Sequence, residues 1–200
     1  MLNIVKVIGI TGGTGTGKTT ALFVLHEMGA CIIDCDDIYH ELLESSKEML
    51  SAIESRFPGV VTEGVLDRKK LGAVVFSDED ALRDLEKITH PFVDSEVFKI
   101  IDRERKNGKE LFAVDAISLL EAGVRRICDV VIGITAPLEA RVNRIMKREG
   151  ISEEYARLRV SAQKDDEYYK RNCDIVLNND GNRASFEDDC RRYFNNLTGR

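Results

Sequence analysis

The chain has 200 residues, 43% of them hydrophobic, and a formal net charge of -6. This length suggests one domain with room for inserted lobes, and the apolar content is sufficient for a core. The acidic balance argues against nucleic acid as a partner, and no run is long and apolar enough to cross a membrane. Five cysteines without a C-x-x-C pair argue against a disulfide framework or a zinc site. With a start that lacks a signal-peptide pattern, they indicate a cytoplasmic protein.

The first predicted element is a strand, Ile4 to Ile8, which leads into a glycine-rich loop and a helix-compatible segment. The loop contains G-x-x-x-x-G-K-T, which in this strand–loop–helix context predicts a P-loop for a nucleoside triphosphate such as ATP. Glycines let phosphate reach the backbone N–H groups, and the positive end of the helix adds to the attraction. A glycine-rich turn with a stray lysine would leave the flanking elements unexplained. The predicted nucleotide-binding residues are Gly13, Thr14, Gly15, Thr16, Gly17, Lys18, Thr19 and Thr20.

Two of these residues have a more specific expected role. Lys18 can reach the β- and γ-phosphates, and the hydroxyl of Thr19 can ligate Mg²⁺. ATP and Mg²⁺ are therefore the expected cofactors.

The second predicted strand, Ala30 to Asp34, is followed by Asp36 and Asp37. If the extended geometry continues, Asp34 and Asp36 face the same side at the ligand edge of the sheet. A hydroxyl that accepts a phosphoryl group benefits from a carboxylate that takes its proton, so one aspartate could be the base and another could help to order Mg²⁺. The alternative is that Asp36 or Asp37 only caps the next helix.

A largely helical insert, about 37–107, separates the second and third strands and is too long for a crossover loop. Asp67 and Asp78 are plausible N-caps of its helices. Pro91 fits the first turn of a further helix, so that His90 and Pro91 would join two helices. We expect the insert to form a second lobe that covers the acceptor substrate.

The third predicted strand, Leu111 to Ala116, contains an aspartate near its end, Asp115. Such an ending resembles a Walker B strand, whose aspartate holds the Mg²⁺ shell. Two more strands are predicted at Asp129 to Ile134 and Asp174 to Leu177. Helical patterns between the strands predict an α/β fold, a three-layer sandwich with a mostly parallel five-stranded sheet. Ligands would bind at the carboxyl ends of its strands.

A helical pair at about 137–169 carries many basic residues and could be a mobile lid. On its first helix the arginines at i, i+3 and i+7 share one face, namely Arg141, Arg144 and Arg148. Cations over a transferring phosphoryl group stabilise its charge and exclude water, although a solvated charged face is the alternative. Arg159 and Gln163, one turn apart on the next helix, could face the same site.

The segment after the last strand, Asn178 to Gly181, has the composition of a turn. Its place at the sheet edge also suits contact with adenine, which makes Asn179 and Gly181 candidates for nucleotide binding.

These motifs, in this order, resemble the dephospho-coenzyme A kinase family from Ile8 to Gly181. The matching patterns are T-G-G-x-G-x-G-K-T at 11–19, D-x-D at 34–36, L-D-R-K-K-L-x-x-x-V-F at 66–76, T-H-P at 89–91, D-x-x-x-L-L-E at 115–121, A-P-L-E at 136–139, R-x-x-x-R at 144–148, R-V-S-A-Q at 159–163 and C-D-I-V-L-N-N-D-G at 173–181. One departure follows Asp115, where the family usually has D-x-P-L-L-x-E and this chain has Ile117 and Ser118.

The resemblance implies ATP-dependent phosphorylation of the ribose 3′-hydroxyl of dephospho-CoA, the last step of CoA biosynthesis. It implies a core, a helical CoA lobe and a lid, which agrees with the insert at about 37–107 and the helical pair at about 137–169. Asp36 becomes the expected catalytic base, with Lys18, Arg144 and Arg148 as further catalytic residues. The expected substrate-binding residues are Asp34, Asp36, Arg68, His90, Arg159 and Gln163. A small-molecule substrate and a monomer are expected, with no nucleic-acid or membrane partner.

Other classes of protein remain open at this point. Another small-molecule kinase, such as a nucleoside or nucleoside monophosphate kinase, shares the P-loop and the lid. The D-x-D pair favours a hydroxyl acceptor, because a carboxylate would repel a phosphate acceptor. A nucleotide-dependent switch would bind nucleotide and leave no product, and the N-K-x-D pattern of GTPases is missing from the sequence.

Overall fold

A computed structural model describes residues 6–116, 120 and 123–199. The chain divides into two compact units. One unit contains the residues up to Ile33 and those from Arg103 onward, and the other contains Asp34–Asp102. The strands are β1 (Val7–Thr11), β2 (Cys31–Asp34), β3 (Val61–Thr62), β4 (Val65–Leu66), β5 (Phe112–Asp115), β6 (Val130–Thr135) and β7 (Ile175–Asn178). The α-helices are α1 (Lys18–Glu27), α2 (Cys35–Ser45), α3 (Lys47–Arg56), α4 (Arg68–Val75), α5 (Glu79–Lys106), α6 (Leu138–Glu149), α7 (Glu153–Ser161), α8 (Asp166–Asn172) and α9 (Arg183–Thr198).

The first unit is built on a five-stranded sheet with the order β2-β5-β1-β6-β7. The pairs β1–β5, β1–β6 and β6–β7 are parallel. Every residue of β1 and β6 is buried, as expected for parallel strands that are covered by helices on both faces. The predicted α/β fold with a mostly parallel five-stranded sheet is confirmed, and each strand of this sheet lies within a few residues of its predicted position.

The helix after the P-loop and the last helix pack together on this sheet. Ala21, Val24 and Leu25 of α1 form one buried cluster with Phe186 and Phe194 of α9 and with β-strand residues. This packing fixes the start of α1, and with it the loop that α1 shares with β1.

Two helices, α6 and α7, occupy the segment predicted as a helical pair. Gly150 ends α6 in the left-handed region at φ 67°, and the Ser152 side chain accepts from Tyr155 N at the start of α7. Val142 and Ile145 of α6 pack against the buried face of α7. The connection is therefore a short capped turn between two helices that share a small core.

The second unit is helical with one short antiparallel hairpin, β3–β4. Its core gathers buried side chains from several of its helices, including Leu43, Met49, Ile53, Leu71 and Leu85. The predicted helix caps are confirmed: Asp67 accepts from Lys70 N at 2.9 Å, and Asp78 accepts from Asp80 N at 2.8 Å.

The prediction that Pro91 starts a new helix is wrong. Helix α5 runs without a break from Glu79 to Lys106 and contains both His90 and Pro91. Proline removes one backbone hydrogen bond, but the buried stripe continues through it at every fourth residue. The members of that stripe are Ala81, Leu85, Thr89, Val93, Val97 and Ile101. Burial of this continuous stripe outweighs the lost hydrogen bond.

No helix in the described part of the chain combines the length and the hydrophobicity needed to cross a membrane. None of the five cysteines, all of which lie within the described residues, is disulfide-bonded.

Candidate active site

The loop between β1 and α1 borders a cavity of about 760 Å³ in the first unit. Residues 12–15 and 17–20 line it together with side chains from α1, α6, the end of α7 and α9. Those other side chains are Phe23, Arg144, Arg148, Arg159, Gln163 and Arg183. The structure thus brings most of the predicted P-loop residues and several of the predicted lid residues together around one cavity.

Two glycines of the loop are required by what lies behind them. Gly17 has φ 108°, and a Cβ there would collide with Nδ2 of Asn179. A Cβ on Gly13 would collide with the guanidinium of Arg141 and would lie 2.7 Å from Oε1 of Gln163. The protein therefore packs closely against the loop on the side of these groups.

Lys18 is the first residue of α1, and its ammonium group lies 2.5 Å from Oδ1 of Asp115. Both side chains are largely buried, with exposures of 16% and 15%. Asp115 ends β5, which pairs directly with β1, so the predicted Walker B position is next to the P-loop strand. Lys18 and Asp115 neutralise each other here, while Thr19 beside them is exposed to the cavity.

The carbonyl oxygens of the loop accept hydrogen bonds from side chains. Arg144 donates to Gly15 O at 3.1 Å, and Nδ2 of Asn179 donates to Thr16 O at 2.8 Å. A phosphate-binding loop directs several of its N–H groups at phosphate, so its carbonyl groups need donors from elsewhere. Arg144 and Asn179 supply them.

Asn179 and Gly181 contact the guanidinium of Arg144. Arg144 donates to Oδ1 of Asn179 at 3.0 Å and to Gly181 O at 3.4 Å. The Asn179 side chain is buried and supports the loop, and the described cavity wall includes neither residue. Burial lowers the pKa of Arg144, whose acceptors here are all uncharged.

Phe23 and Arg183 line the cavity and were not predicted as site residues. The Arg183 guanidinium carbon lies 5.9 Å from the centre of the Phe23 ring. Phe23 is 42% exposed, and an aromatic side chain facing out from the helix after a P-loop was the available signal.

Arg148 is more exposed than Arg144, and it shares one carboxylate with Arg159. Arg148 pairs with Glu149 at 2.6 Å and also donates to Oγ1 of Thr14 at 3.2 Å. Arg159 pairs with the other oxygen of Glu149. The hydrogen bond from Arg148 is the main cause that lowers the pKa of Glu149, so this carboxylate stays ionised at neutral pH.

Gln163, just past the end of α7, touches the loop itself. Its Oε1 accepts from Thr14 N at 2.8 Å and from Arg141 at 2.8 Å. Arg141 also donates from Nε to Thr14 O at 3.0 Å and is only 5% exposed. The spacing grouped Arg141 with Arg144 and Arg148 as candidate cations over the phosphoryl group, but it did not predict that Arg141 would bind Thr14 and Gln163.

In the second unit, the geometry expected for the aspartate pair is wrong. Strand β2 ends at Asp34 and α2 begins at Cys35, so Asp36 lies in the first helical turn. Asp34 is the cap: its Oδ1 accepts from Asp36 N at 2.9 Å and from Asp37 N at 3.2 Å. Helix formation therefore replaces the strand alternation, and the capping role left open for Asp36 or Asp37 belongs to Asp34.

The other predicted acceptor residues of this unit lie on separate helices. Arg68 is the first residue of α4 and pairs with Glu44 at 3.0 Å, with both side chains exposed. His90 is half-buried inside α5.

Among the residues that the structure describes, no three His, Cys, Asp or Glu side chains form a metal-binding group. This does not conflict with the Mg²⁺ prediction, because Mg²⁺ beside nucleotides takes few protein ligands and fills its shell with phosphate oxygens and water. The departure at Ile117 and Ser118 lies outside the described residues.

The family model described as dephospho-CoA kinase matches residues 6–185. A dephospho-CoA kinase of Dehalococcoides mccartyi is 37% identical over 92% of this chain and 91% of its own. The Thermus thermophilus protein TT1252 superposes with a TM-score of 0.77 at 32% identity, over 98% of this chain and 99% of its own. A dephospho-CoA kinase from Campylobacter jejuni superposes with a TM-score of 0.67 at 27% identity, over 96% and 97%.

These likenesses confirm the predicted P-loop kinase, an enzyme that uses a nucleotide. The chain belongs to the dephospho-CoA kinase family, whose members phosphorylate dephospho-CoA to give CoA in the last step of CoA biosynthesis.

Proposed function

We propose that this chain transfers the γ-phosphoryl group of ATP to the ribose 3′-hydroxyl of dephospho-CoA. The observation that carries the proposal is one cavity in which Lys18 and Thr19 of a P-loop meet Arg144 and Arg148, in a chain of this family. Such a site can hold a triphosphate and balance the charge that develops on the transferred group.

The phosphate end of the site begins with the pair of Lys18 and Asp115. An arriving triphosphate competes with Asp115 for Lys18, because it offers the ammonium group several anionic oxygens. Thr19 and Asp115 would then hold Mg²⁺, directly or through water. When bound, Mg²⁺ neutralises charge on the β- and γ-phosphates.

The lid arginines have an exchangeable counter-ion in Glu149. Arg148 and Arg159 can leave this partly exposed carboxylate for the phosphoryl group with a modest desolvation cost. Closing over the phosphates would exclude water and suppress hydrolysis of ATP.

Asp36 is the proposed base for the acceptor hydroxyl. Its carboxylate is exposed in the first turn of α2, and Asp34 already caps that helix, so the helix does not require Asp36 as its cap. We also propose that the insert at about 37–107 is the CoA lobe, with Arg68 and His90 as acceptor contacts, and that 137–169 is the lid. The enzyme would act as a cytoplasmic monomer on this small molecule, consistent with thiols that form no disulfides.

An acceptor panel tests the reaction. The purified protein is incubated with Mg-ATP and dephospho-CoA, adenosine or AMP, and products are identified by mass spectrometry and phosphorus NMR. We expect a 3′-phosphate on dephospho-CoA and little product from the other acceptors. Equal or faster phosphorylation of AMP would overturn the proposal.

The base is tested by Asp36→Asn, with Asp37→Asn as the matched control on the same helical turn. Loss of a general base lowers kcat by about 10²–10⁴-fold. We expect this fall for Asp36→Asn with an unchanged Kd for ATP, and near-normal kcat for Asp37→Asn. Equal losses in the two variants would remove Asp36 from this role.

A further inference from the structure

Behind the tip of the P-loop, three groups form a closed ring of hydrogen bonds. Thr14 N donates to Oε1 of Gln163 at 2.8 Å, the same oxygen accepts from Arg141 at 2.8 Å, and Arg141 Nε donates to Thr14 O at 3.0 Å. The ring therefore holds the peptide group before Thr14 and the peptide group after it. Two consecutive peptide planes at the tip of the loop are fixed by side chains from the helical pair.

We infer that Arg141 and Gln163 are positioning residues, which hold the backbone of Thr14 so that the rest of the loop is shaped for phosphate before nucleotide arrives. This inference rests on the proposed function in one respect, namely that ATP is the nucleotide, and it does not depend on the acceptor. The two residues are called the Thr14 clamp below.

The burial and chemistry of Arg141 support a fixed role. Its side chain is 5% exposed, and both of its acceptors are uncharged oxygens. A guanidinium loses much solvation on burial, and the nearby charge of Asp166 offsets only part of this loss, because the pKa of Arg141 remains lowered. A fixed geometry that a flexible ammonium does not offer is a further gain. One Arg141 donor is directed at Thr14 O, and the other is directed at the Gln163 oxygen that accepts from Thr14 N. Two donors fixed on these two oxygens are such a geometry.

The clamp also gives Gly13 a second reason to be glycine. A Cβ at this position would collide with the Arg141 guanidinium and press on Oε1 of Gln163. Gly13 therefore makes room for the clamp behind the loop as well as for phosphate in front of it.

The clamp connects the loop to both helices of the pair. Arg141 lies on α6, while Gln163 follows α7 and donates its own N–H to Val160 O of that helix. A shift of either helix would pull on Thr14. We therefore expect a movement of the lid arginines to move the loop as well. Loss of the clamp should have its largest effect on nucleotide affinity, because the loop would no longer be held in its binding shape.

The test compares Arg141→Met, Gln163→Met and the double variant with Arg157→Met. Arg157 is a matched control because it lies on α7 and pairs with Glu139 and Glu153 outside the cavity. The Kd for Mg-ATP is measured by calorimetry without acceptor, and amide exchange of Thr14 is followed by NMR. KM for dephospho-CoA is measured separately, so that absence of CoA formation would count against the proposed function alone.

We expect each single variant to raise the Kd for ATP about tenfold and the double variant by little more, because the two residues act as one unit. Amide exchange of Thr14 should accelerate in the variants when no nucleotide is bound, while their KM for dephospho-CoA should change less than about twofold. In the Arg157→Met control, the Kd for ATP should also change less than about twofold. A lower melting temperature with unchanged ATP affinity and unchanged Thr14 exchange would overturn the inference. If the methionine variants do not fold, Arg141→Lys is tested by the Kd for ATP and the amide exchange of Thr14. It keeps the charge and loses the two-donor geometry, so both quantities should still rise.

Discussion

Arg141 and Arg144 differ from Arg148 and Arg159 in what they bind, although all four belong to the same helical pair. The first two donate to backbone and amide oxygens around the P-loop, and burial lowers the pKa of both. The second two pair with Glu149 near the surface. The arginines of the helical pair thus divide into an inner group, Arg141 and Arg144, that supports the loop, and an outer group, Arg148 and Arg159, for which we propose an exchange of Glu149 for phosphate.

Because of this difference, we expect substitutions in the two groups to affect different measured properties. Inner contacts are buried and fixed, so their loss should reduce folding stability and nucleotide affinity. Outer contacts are exposed and exchangeable, so their loss should reduce kcat with little effect on stability.

Lys18→Met gives the scale for a residue that acts on phosphate directly. Removal of the preorganised Lys18 charge beside the transferred phosphoryl group should lower kcat by about 10²–10³-fold. Steady-state formation of ADP in the presence of dephospho-CoA measures it. A kcat within tenfold of wild type would show that another cation performs this role.

Asn179→Ala tests the inner group. It removes the side-chain donor to Thr16 O, which is a buried hydrogen bond, and the Oδ1 acceptor of Arg144, which is a half-buried one. We expect a loss of about 1–3 kcal/mol in the free energy of unfolding, measured with urea, and weaker ATP binding. Asn178→Ala, at the exposed neighbouring position, is the control and should cost much less. Equal costs would mean that support of the loop is not the role of Asn179.

Arg148→Met tests the outer group. We expect kcat to fall about tenfold, because other cations remain around the phosphates. The free energy of unfolding should change by less than about 0.5 kcal/mol, as for exposed ion pairs generally. A large loss of stability without a change in kcat would reverse the assignment of inner and outer groups.

Glu149→Gln should have the smallest effect. Without their carboxylate, Arg148 and Arg159 face no competition for phosphate, so the Kd for ATP should fall about twofold to threefold, and more at low salt. Calorimetry over a salt series measures this. A higher Kd would indicate that Glu149 instead holds the arginines in the shape that ATP needs.

Sequence reasoning performed best where a pattern had one physical cause. The P-loop glycines, the apolar strands and the cap at Asp67 each follow from local chemistry and were found. The spacing of the arginines showed that they share a face, but not which of them would be buried. That depends on Thr14, Gly15 and Thr16, which lie far away in sequence.

The errors arose where two local rules competed. Proline favours a helix start, yet a stripe at every fourth residue from Ala81 to Ile101 carries α5 through Pro91. Alternation in a strand placed Asp36 beside Asp34, yet capping by Asp34 turns the chain into a helix at once. The hydrogen bond from the Asn179 amide to Thr16 O was not predicted, because it joins residues that are far apart in sequence.

The most direct test of the account is the stoichiometry of the reaction with Mg-ATP and dephospho-CoA, with both products counted by mass spectrometry. We expect one CoA for each ADP, and from Lys18→Met we expect both products to form about 10²–10³-fold more slowly. ADP without CoA would contradict the account and would indicate a different acceptor or an ATPase.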